Sequence, residues 1–120
     1  MAGRSGRPGY VGNDFYCDVA IPDTDALKVV FEDEHILAFH HTRPFWQTHI
    51  VVVPKKHIAS LTTVTEKDAS LMKRLLTVVQ TIAHDVEEST GAAAVLTNLG
   101  RYQDSKHLHV HVHSGSLRNA

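Results

Sequence analysis

The chain of 120 residues is poor in cysteine, proline and tryptophan, and its apolar runs are short. The single Cys17 cannot form an internal disulfide, which excludes a disulfide-stabilised scaffold. No apolar run approaches a membrane span, and Arg4 and Arg7 precede no apolar segment, so we expect a cytoplasmic protein with no secretory signal and no membrane partner. The chain has only four prolines, and 42% of its residues are apolar. This composition excludes a collagen-like or disordered chain.

An excess of either charge is also missing, because 12 Lys and Arg balance 13 Asp and Glu for a net charge of −1. Binding nucleic acid through its phosphates needs a basic surface, so we expect no nucleic-acid partner. The length fits one domain. Four of the seven glycines lie within residues 1–12, a composition that cannot form a packed core, so we predict a flexible arm over 1–13 and one domain over 14–120.

The apolar pattern predicts an α+β domain in which one long amphipathic helix covers a sheet of about five mostly antiparallel strands. Short apolar or β-branched runs between turn residues are typical of strands. The predicted strands are 27–31, 35–40, 49–53, 92–99 and 107–114. From Thr65, apolar residues recur every three or four positions until Gly91, which predicts one helix with a glycine stop.

Histidine is abundant, with ten in the chain, and four of them alternate with apolar residues in the last predicted strand: His107, His109, His111 and His113. Side chains of a strand alternate between faces, so these four share one face at intervals of roughly 6.5–7 Å. Thr or Lys would solvate that face equally well, whereas imidazole adds nucleophilicity and metal ligation. The spacing leaves two interpretations open, a zinc site and a nucleophilic imidazole whose neighbours stabilise a phosphoryl group.

Residues 107–112, with the sequence His-Leu-His-Val-His-Val, resemble the signature of the histidine triad (HIT) family, which is His-φ-His-φ-His-φ-φ with φ apolar. Only the last position departs, because it carries His113. Residues 48–57 are similar to a second family segment, a histidine and an apolar strand followed by Pro-Lys-x-His. Asn98 and Gln103 stand where the family has an Asn-x-Gly and a Gln ahead of the triad. The resemblance spans about residues 15–115.

This resemblance implies a HIT-like fold that hydrolyses or transfers nucleoside monophosphate groups at the α-phosphorus of a nucleoside phosphoramidate or dinucleoside polyphosphate. It makes His109 the nucleophile, which forms a nucleotidyl-histidine, with His107 and His49 as orienting groups and His111 as a phosphate ligand. The substrate-binding positions that it implies are Asn98, Ser105, Gln103, His41 and Phe39. It requires no cofactor and implies an adenosine-type nucleotide as partner and a homodimer, which an exposed sheet edge also favours.

Two positions depart from the family pattern. His41 stands where relatives often have an acid that binds the ribose hydroxyls, so we expect weaker and pH-sensitive ribose contact, and tighter AMP binding in His41→Asp. Asp104 stands where Hint-like members have Ser or Thr. A carboxylate repels phosphate, so we expect Asp104 to turn away and Ser105 to bind phosphate instead.

Zinc remains an alternative at Cys17, because many bacterial relatives begin with Cys-x-x-Cys and bind zinc there with later histidines. Asp14 occupies the first of those positions here, which leaves a set of Asp14, Cys17 and His57 against the alternative of a buried apolar thiol and a structural histidine.

Two other functions compete with this one: a nucleotide-binding regulatory module with negligible turnover, and a metal protein built on the histidine strand. Triad chemistry should survive EDTA and should fall between pH 8 and 5 as the imidazoles gain protons.

Overall fold

A computed structural model describes residues 12–118 as five strands, one long helix and several short helical turns. The main elements are β1 (Val29–Glu32), β2 (Ile36–His40), β3 (Trp46–Pro54), α1 (Ala69–Thr90), β4 (Ala94–Leu96) and β5 (Val110–Leu117). This confirms the predicted α+β class with five strands and one long helix. Nearly all of the predicted arm 1–13 lies outside the described residues. Within them, no helix is long and apolar enough to cross a bilayer.

All neighbouring strands of the sheet are antiparallel, in the order β1-β2-β3-β5-β4. Strand β5 begins at Val110 rather than at the predicted residue 107. The reason is that the preceding backbone bonds elsewhere: Leu108 N–H donates to the Ile58 carbonyl at 2.6 Å, and the Thr97 hydroxyl donates to the His109 carbonyl at 2.7 Å. Residues 107–109 are therefore fixed by the neighbouring segments instead of the regular ladder.

The helix begins and ends where its sequence predicts. Thr65 and Asp68 form a capping box, in which an Asp68 carboxylate oxygen accepts the Thr65 N–H at 3.0 Å. One turn of 3-10 helix follows Thr65, and α1 then runs to Thr90. Gly91 ends it with a φ of 91°, a left-handed conformation that glycine adopts without steric cost.

The sheet separates two apolar layers. On one face, α1 packs its apolar stripe, including Leu75 and Val79, on residues such as Val52 and Val112. On the other face, the N-terminal turns pack Phe15, Tyr16 and Ala20 on Leu37, Phe39, Val51 and Val53. Strand β3 is therefore buried on both faces, as a continuous β-branched run predicts. The histidines of the last strand point into the second layer.

Candidate active site

The sheet register brings histidines from two strands together. Leu108 and Val112 pack on the helix side, so the alternating His107, His109 and His111 lie on the opposite side, where all three are buried. On β3, His49 pairs with His113 and Val51 pairs with His111, so the His49 imidazole reaches the same face. The four histidines predicted to carry the chemistry, at 49, 107, 109 and 111, are thus brought into one buried cluster.

A backbone hydrogen bond fixes the proton positions of His49 and His111. The Phe45 N–H donates to His49 Nδ1 at 3.0 Å, so His49 carries its proton on Nε2. That nitrogen lies 2.8 Å from His111 Nδ1, which must accept the proton, so His111 in turn carries its own proton on Nε2. This last N–H is buried and has no hydrogen-bond partner among residues 12–118. His111 therefore presents a free donor inside the site.

His109 has the opposite arrangement. Its Nδ1 lies 2.6 Å from the His107 carbonyl oxygen, which can only accept, so Nδ1 carries the proton and Nε2 keeps its lone pair. The His109 and His111 rings meet edge to face with centroids 4.9 Å apart, and the Tyr16 ring packs 4.9 Å from His109. A nitrogen with a lone pair and a nitrogen with a free proton are thus held on adjacent rings.

Burial keeps these imidazoles neutral. Burial, together with the positive charge that neighbouring histidines would carry, lowers the pKa of His49 to about 3 and the pKa of His111 to about 2. Burial likewise lowers the pKa of His41 and of His109 to about 4. The sequence-based expectation of titration between pH 8 and 5 therefore does not apply to His41, His49, His109 and His111, because burial moves their pKa values well below the usual 6.5.

A second cluster forms where the N-terminal turn meets the triad. Asp14 Oδ2 lies 2.5 Å from His57 Nδ1 and 3.1 Å from His107 Nδ1. Cys17 Sγ lies 3.4 Å from His107 Nδ1 and 3.8 Å from His57 Nδ1. Burial raises the pKa of the Cys17 thiol to about 11, and the Asp14 carboxylate adds to the rise. Burial also acts to raise the pKa of Asp14, but the Cys17 N–H and His107 outweigh it and hold that pKa below its usual value.

This donor set fits zinc. The four donor atoms of Asp14, Cys17, His57 and His107 all lie within 4.8 Å of one another, and carboxylate, thiolate and imidazole are the ligands that tetrahedral zinc takes. His107 Nε2 also lies 2.7 Å from the Pro54 carbonyl, an outer hydrogen bond of the kind that orients metal-binding histidines. Sequence reasoning found three of the four and missed His107, because the triad motif had already assigned it to another role.

His41 lies at the mouth of the site. Its Nδ1 accepts the Arg43 N–H at 3.0 Å, so its proton is on Nε2, and its ring stacks on that of His49 with centroids 4.4 Å apart. Together with His49 it lines an open cleft of about 540 Å³. A cleft of that size is within the range of small-ligand sites.

The other predicted substrate-binding residues fall in three different environments. Ser105 is buried and Asp104 is exposed. Leu96 pairs with His111, and the half-buried Asn98 follows two residues after the end of that strand. Gln103 instead uses its amide nitrogen to hold the Ala59 carbonyl at 2.6 Å.

Phe39 requires a correction. It is 1% exposed and packs in the core near Tyr16, so its side chain has no surface to offer a substrate. Strand alternation explains the position, because Phe39 pairs with the buried Val51 of the central strand. The substrate-binding role predicted for Phe39 is therefore wrong in this structure.

Trp46 and His113 form a contact that sequence analysis did not identify. Their rings stack with centroids 3.6 Å apart, and the Trp46 and His49 rings meet edge to face with centroids 5.0 Å apart. The register pairs His113 with His49, so the fourth histidine of the strand extends the aromatic packing around His49. The signal for this contact was the alternation itself, which places His113 on the triad face.

Three comparisons identify relatives. Residues 13–119 match a family model described as the scavenger mRNA decapping enzyme C-terminal binding family. The chain is 34% identical, over 73% of its length and 71% of the relative, to an uncharacterized HIT-like protein of Chlamydia muridarum. Its fold superposes on a HIT family hydrolase from Legionella pneumophila with a TM-score of 0.74 at 32% identity, covering 86% of this chain and 93% of that one.

A histidine triad protein from Clostridium difficile gives a TM-score of 0.73 at 30% identity, covering 92% of this chain and 98% of that chain. The match therefore spans the sheet, the long helix and the histidine segment together. Sequence motif, register and overall fold agree, and the chain belongs to the histidine triad family.

Proposed function

We propose that this protein is a nucleotide hydrolase or transferase that attacks the α-phosphorus of a nucleoside phosphoramidate or a dinucleoside polyphosphate. The observation that carries the proposal is the pair of opposite tautomers, a lone pair on His109 Nε2 beside a free N–H on His111 Nε2. The first supplies a nucleophile and the second a donor for a phosphate oxygen. The Legionella pneumophila relative, itself named a hydrolase, supports the same class.

The reaction takes two displacements. His109 Nε2 forms a bond to the α-phosphorus while the bond to the leaving amine or phosphate breaks, and the leaving group departs with that electron pair and takes up a proton. The His107 carbonyl stabilises the cationic ring through its hydrogen bond to Nδ1. Water then attacks phosphorus and releases a proton to the solvent, which balances the proton taken up by the leaving group; the P–N bond returns its electrons to His109, and the nucleoside monophosphate is released. His111 and Asn98 hold the phosphate oxygens, since positioning and charge stabilisation dominate phosphoryl transfer.

The alternative function is a nucleotide-binding module with negligible turnover, and one substitution separates the two. We expect His109→Ala to abolish turnover of an adenosine phosphoramidate, because the covalent route is lost, while AMP affinity changes by less than about tenfold, or 1.4 kcal/mol. Steady-state kinetics and calorimetry measure the two quantities, with the exposed His84→Ala as a matched control. More than a few per cent of the wild-type rate in His109→Ala contradicts the nucleophile assignment, and a wild-type protein that binds AMP without turnover supports the alternative.

The lowered pKa values set the pH dependence. His49 and His111 stay neutral from pH 8 to about 5, because burial holds their pKa values at about 3 and 2, so we expect kcat/KM to be nearly constant over that range and to fall below it. The charged or titratable groups that act on these two imidazoles are His41, His109, His113 and Arg118.

Stability must be followed in parallel. A histidine whose pKa is lower in the folded than in the unfolded protein contributes its full stability above about pH 6.5, and that contribution is lost progressively as the pH falls toward the folded value. Circular dichroism at each pH therefore separates unfolding from loss of activity. A half-loss of kcat/KM near pH 6.5 in a fully folded protein would contradict the neutral, buried cluster.

We also propose that zinc binds at Asp14, Cys17, His57 and His107. Bound there, it would tie the N-terminal turn to His107, whose carbonyl orients His109, and no catalytic step needs it. We expect one zinc ion per chain by elemental analysis, its loss in Cys17→Ser with His57→Ala, and a fall of several degrees in Tm on chelation. Turnover measured below that lowered Tm should survive EDTA. Purified wild-type protein without zinc, whose Tm does not respond to added zinc, contradicts this site.

A homodimer is proposed from the open edge at β4. This edge strand carries Val95 at 51% exposure, and beside it Leu76 of α1 is 67% exposed, so an apolar surface continues from the helix to unpaired strand backbone. We expect Leu76→Asp to convert the dimer to a monomer in light scattering, and the exposed helix variant Thr81→Asp to remain dimeric. A monomeric wild-type protein at micromolar concentration contradicts the proposal.

A further inference from the structure

The cleft beside His41 is positively charged and has no acid in its wall. Lys28 and Arg118 line it together with His40, His41 and Gln47, and none of its lining residues is Asp or Glu. Lys28 is exposed and forms no ion pair with another described residue. Two permanent cations therefore face one open space next to the histidine cluster, without a carboxylate to balance them.

Arg118 is fixed in place. Its Nε donates to the Trp46 carbonyl at 2.7 Å and its Nη2 to the Gln47 carbonyl at 2.8 Å, while its backbone N–H donates to the Phe45 carbonyl at 2.7 Å. Two of the five guanidinium protons are used in this way, and three remain for a ligand. A guanidinium held in one orientation suits phosphate, which it binds through paired N–H donors.

His41 adds a donor of its own. Its Nδ1 is occupied by the Arg43 N–H, so the neutral ring has a proton on Nε2 and no free acceptor nitrogen. A ribose hydroxyl that donates a proton finds no acceptor on this ring, whereas an anionic oxygen finds a donor. The His41 ring lies 5.9 Å from that of His111, so a ligand whose α-phosphate meets His111 brings its ribose toward His41 and the cations.

We infer that the cleft selects nucleoside 5′-phosphoryl compounds with a second phosphate on the 2′ or 3′ oxygen of the ribose. This inference rests on the proposed function, because it takes the α-phosphate to lie at His109 and His111. The second phosphate would meet Lys28, Arg118 and the His41 N–H, three donors that a nucleotide with a free ribose leaves unused.

The test compares four ligands by calorimetry at one ionic strength: AMP, adenosine 2′,5′-bisphosphate, adenosine 3′,5′-bisphosphate and ADP. The last three ligands have the same number of phosphates, so ADP shows the effect of a second phosphate that is attached to the 5′ phosphate instead of to the ribose. We expect one ribose bisphosphate to bind about tenfold tighter than AMP or more, and ADP to gain less than about threefold. An equal gain for ADP overturns the assignment to the ribose.

Variants locate the effect in the cleft. Arg118→Gln and Lys28→Gln should each remove most of the bisphosphate gain and leave AMP affinity nearly unchanged, whereas Lys73→Gln, the same charge change on the exposed side of α1, should keep the gain. His41→Asp should tighten AMP binding and weaken bisphosphate binding, which reverses the preference. If Lys73→Gln loses the bisphosphate gain as fully as Arg118→Gln and Lys28→Gln do, the gain comes only from long-range attraction between the positively charged protein and the second phosphate. That result overturns the site.

The outcomes for this inference and for the proposed function are separable. A wild-type protein that turns over an adenosine phosphoramidate but binds all four ligands equally overturns the bisphosphate preference alone. A protein that binds none of the four and turns over no phosphoramidate overturns the proposed function, and the bisphosphate preference with it.

Discussion

One hydrogen bond, from the Phe45 N–H to His49 Nδ1, determines the proton positions on which this site depends. It leaves His49 only one proton to give, and His111 only one lone pair with which to accept it. The consequence is a buried N–H on His111 that has no hydrogen-bond partner among residues 12–118. A second backbone contact, from His109 to the His107 carbonyl, gives the neighbouring ring the opposite tautomer. Two backbone contacts thus leave a lone pair on His109 Nε2 and a free N–H on His111 Nε2.

The two-layered core makes this assignment stable. Apolar residues of β5 pack on α1, which forces the alternate histidines into the layer beneath Tyr16, and burial there lowers the pKa values of His109 and His111 far below neutrality. A solvent-exposed triad would exchange protons freely near pH 6.5 and would lose the fixed tautomers. The burial that packs these histidines therefore also fixes their proton positions. The same burial makes the fold less stable in acid.

Much of this arrangement can be predicted from sequence because it is periodic or local. Strand alternation placed the histidines on one face, and the capping box and Gly91 gave the ends of the helix. Contacts between distant segments could not be predicted. The start of β5 depends on hydrogen bonds with Ile58 and Thr97, and the Gln103 side chain donates a hydrogen bond to the Ala59 carbonyl. The family resemblance also implied a substrate contact for Phe39, which lies in the core instead.

In the proposed reaction His109 Nε2 becomes bonded to phosphorus, and trapping that bond is the direct test. An adenosine phosphoramidate labelled at the α-phosphorus is mixed with excess enzyme, quenched in base to preserve the phosphoramidate linkage, and digested for mass spectrometry. We expect one labelled peptide, with the nucleotidyl group on His109 and a decay rate that matches turnover. Label on another histidine, or turnover with no labelled protein at any time, contradicts it.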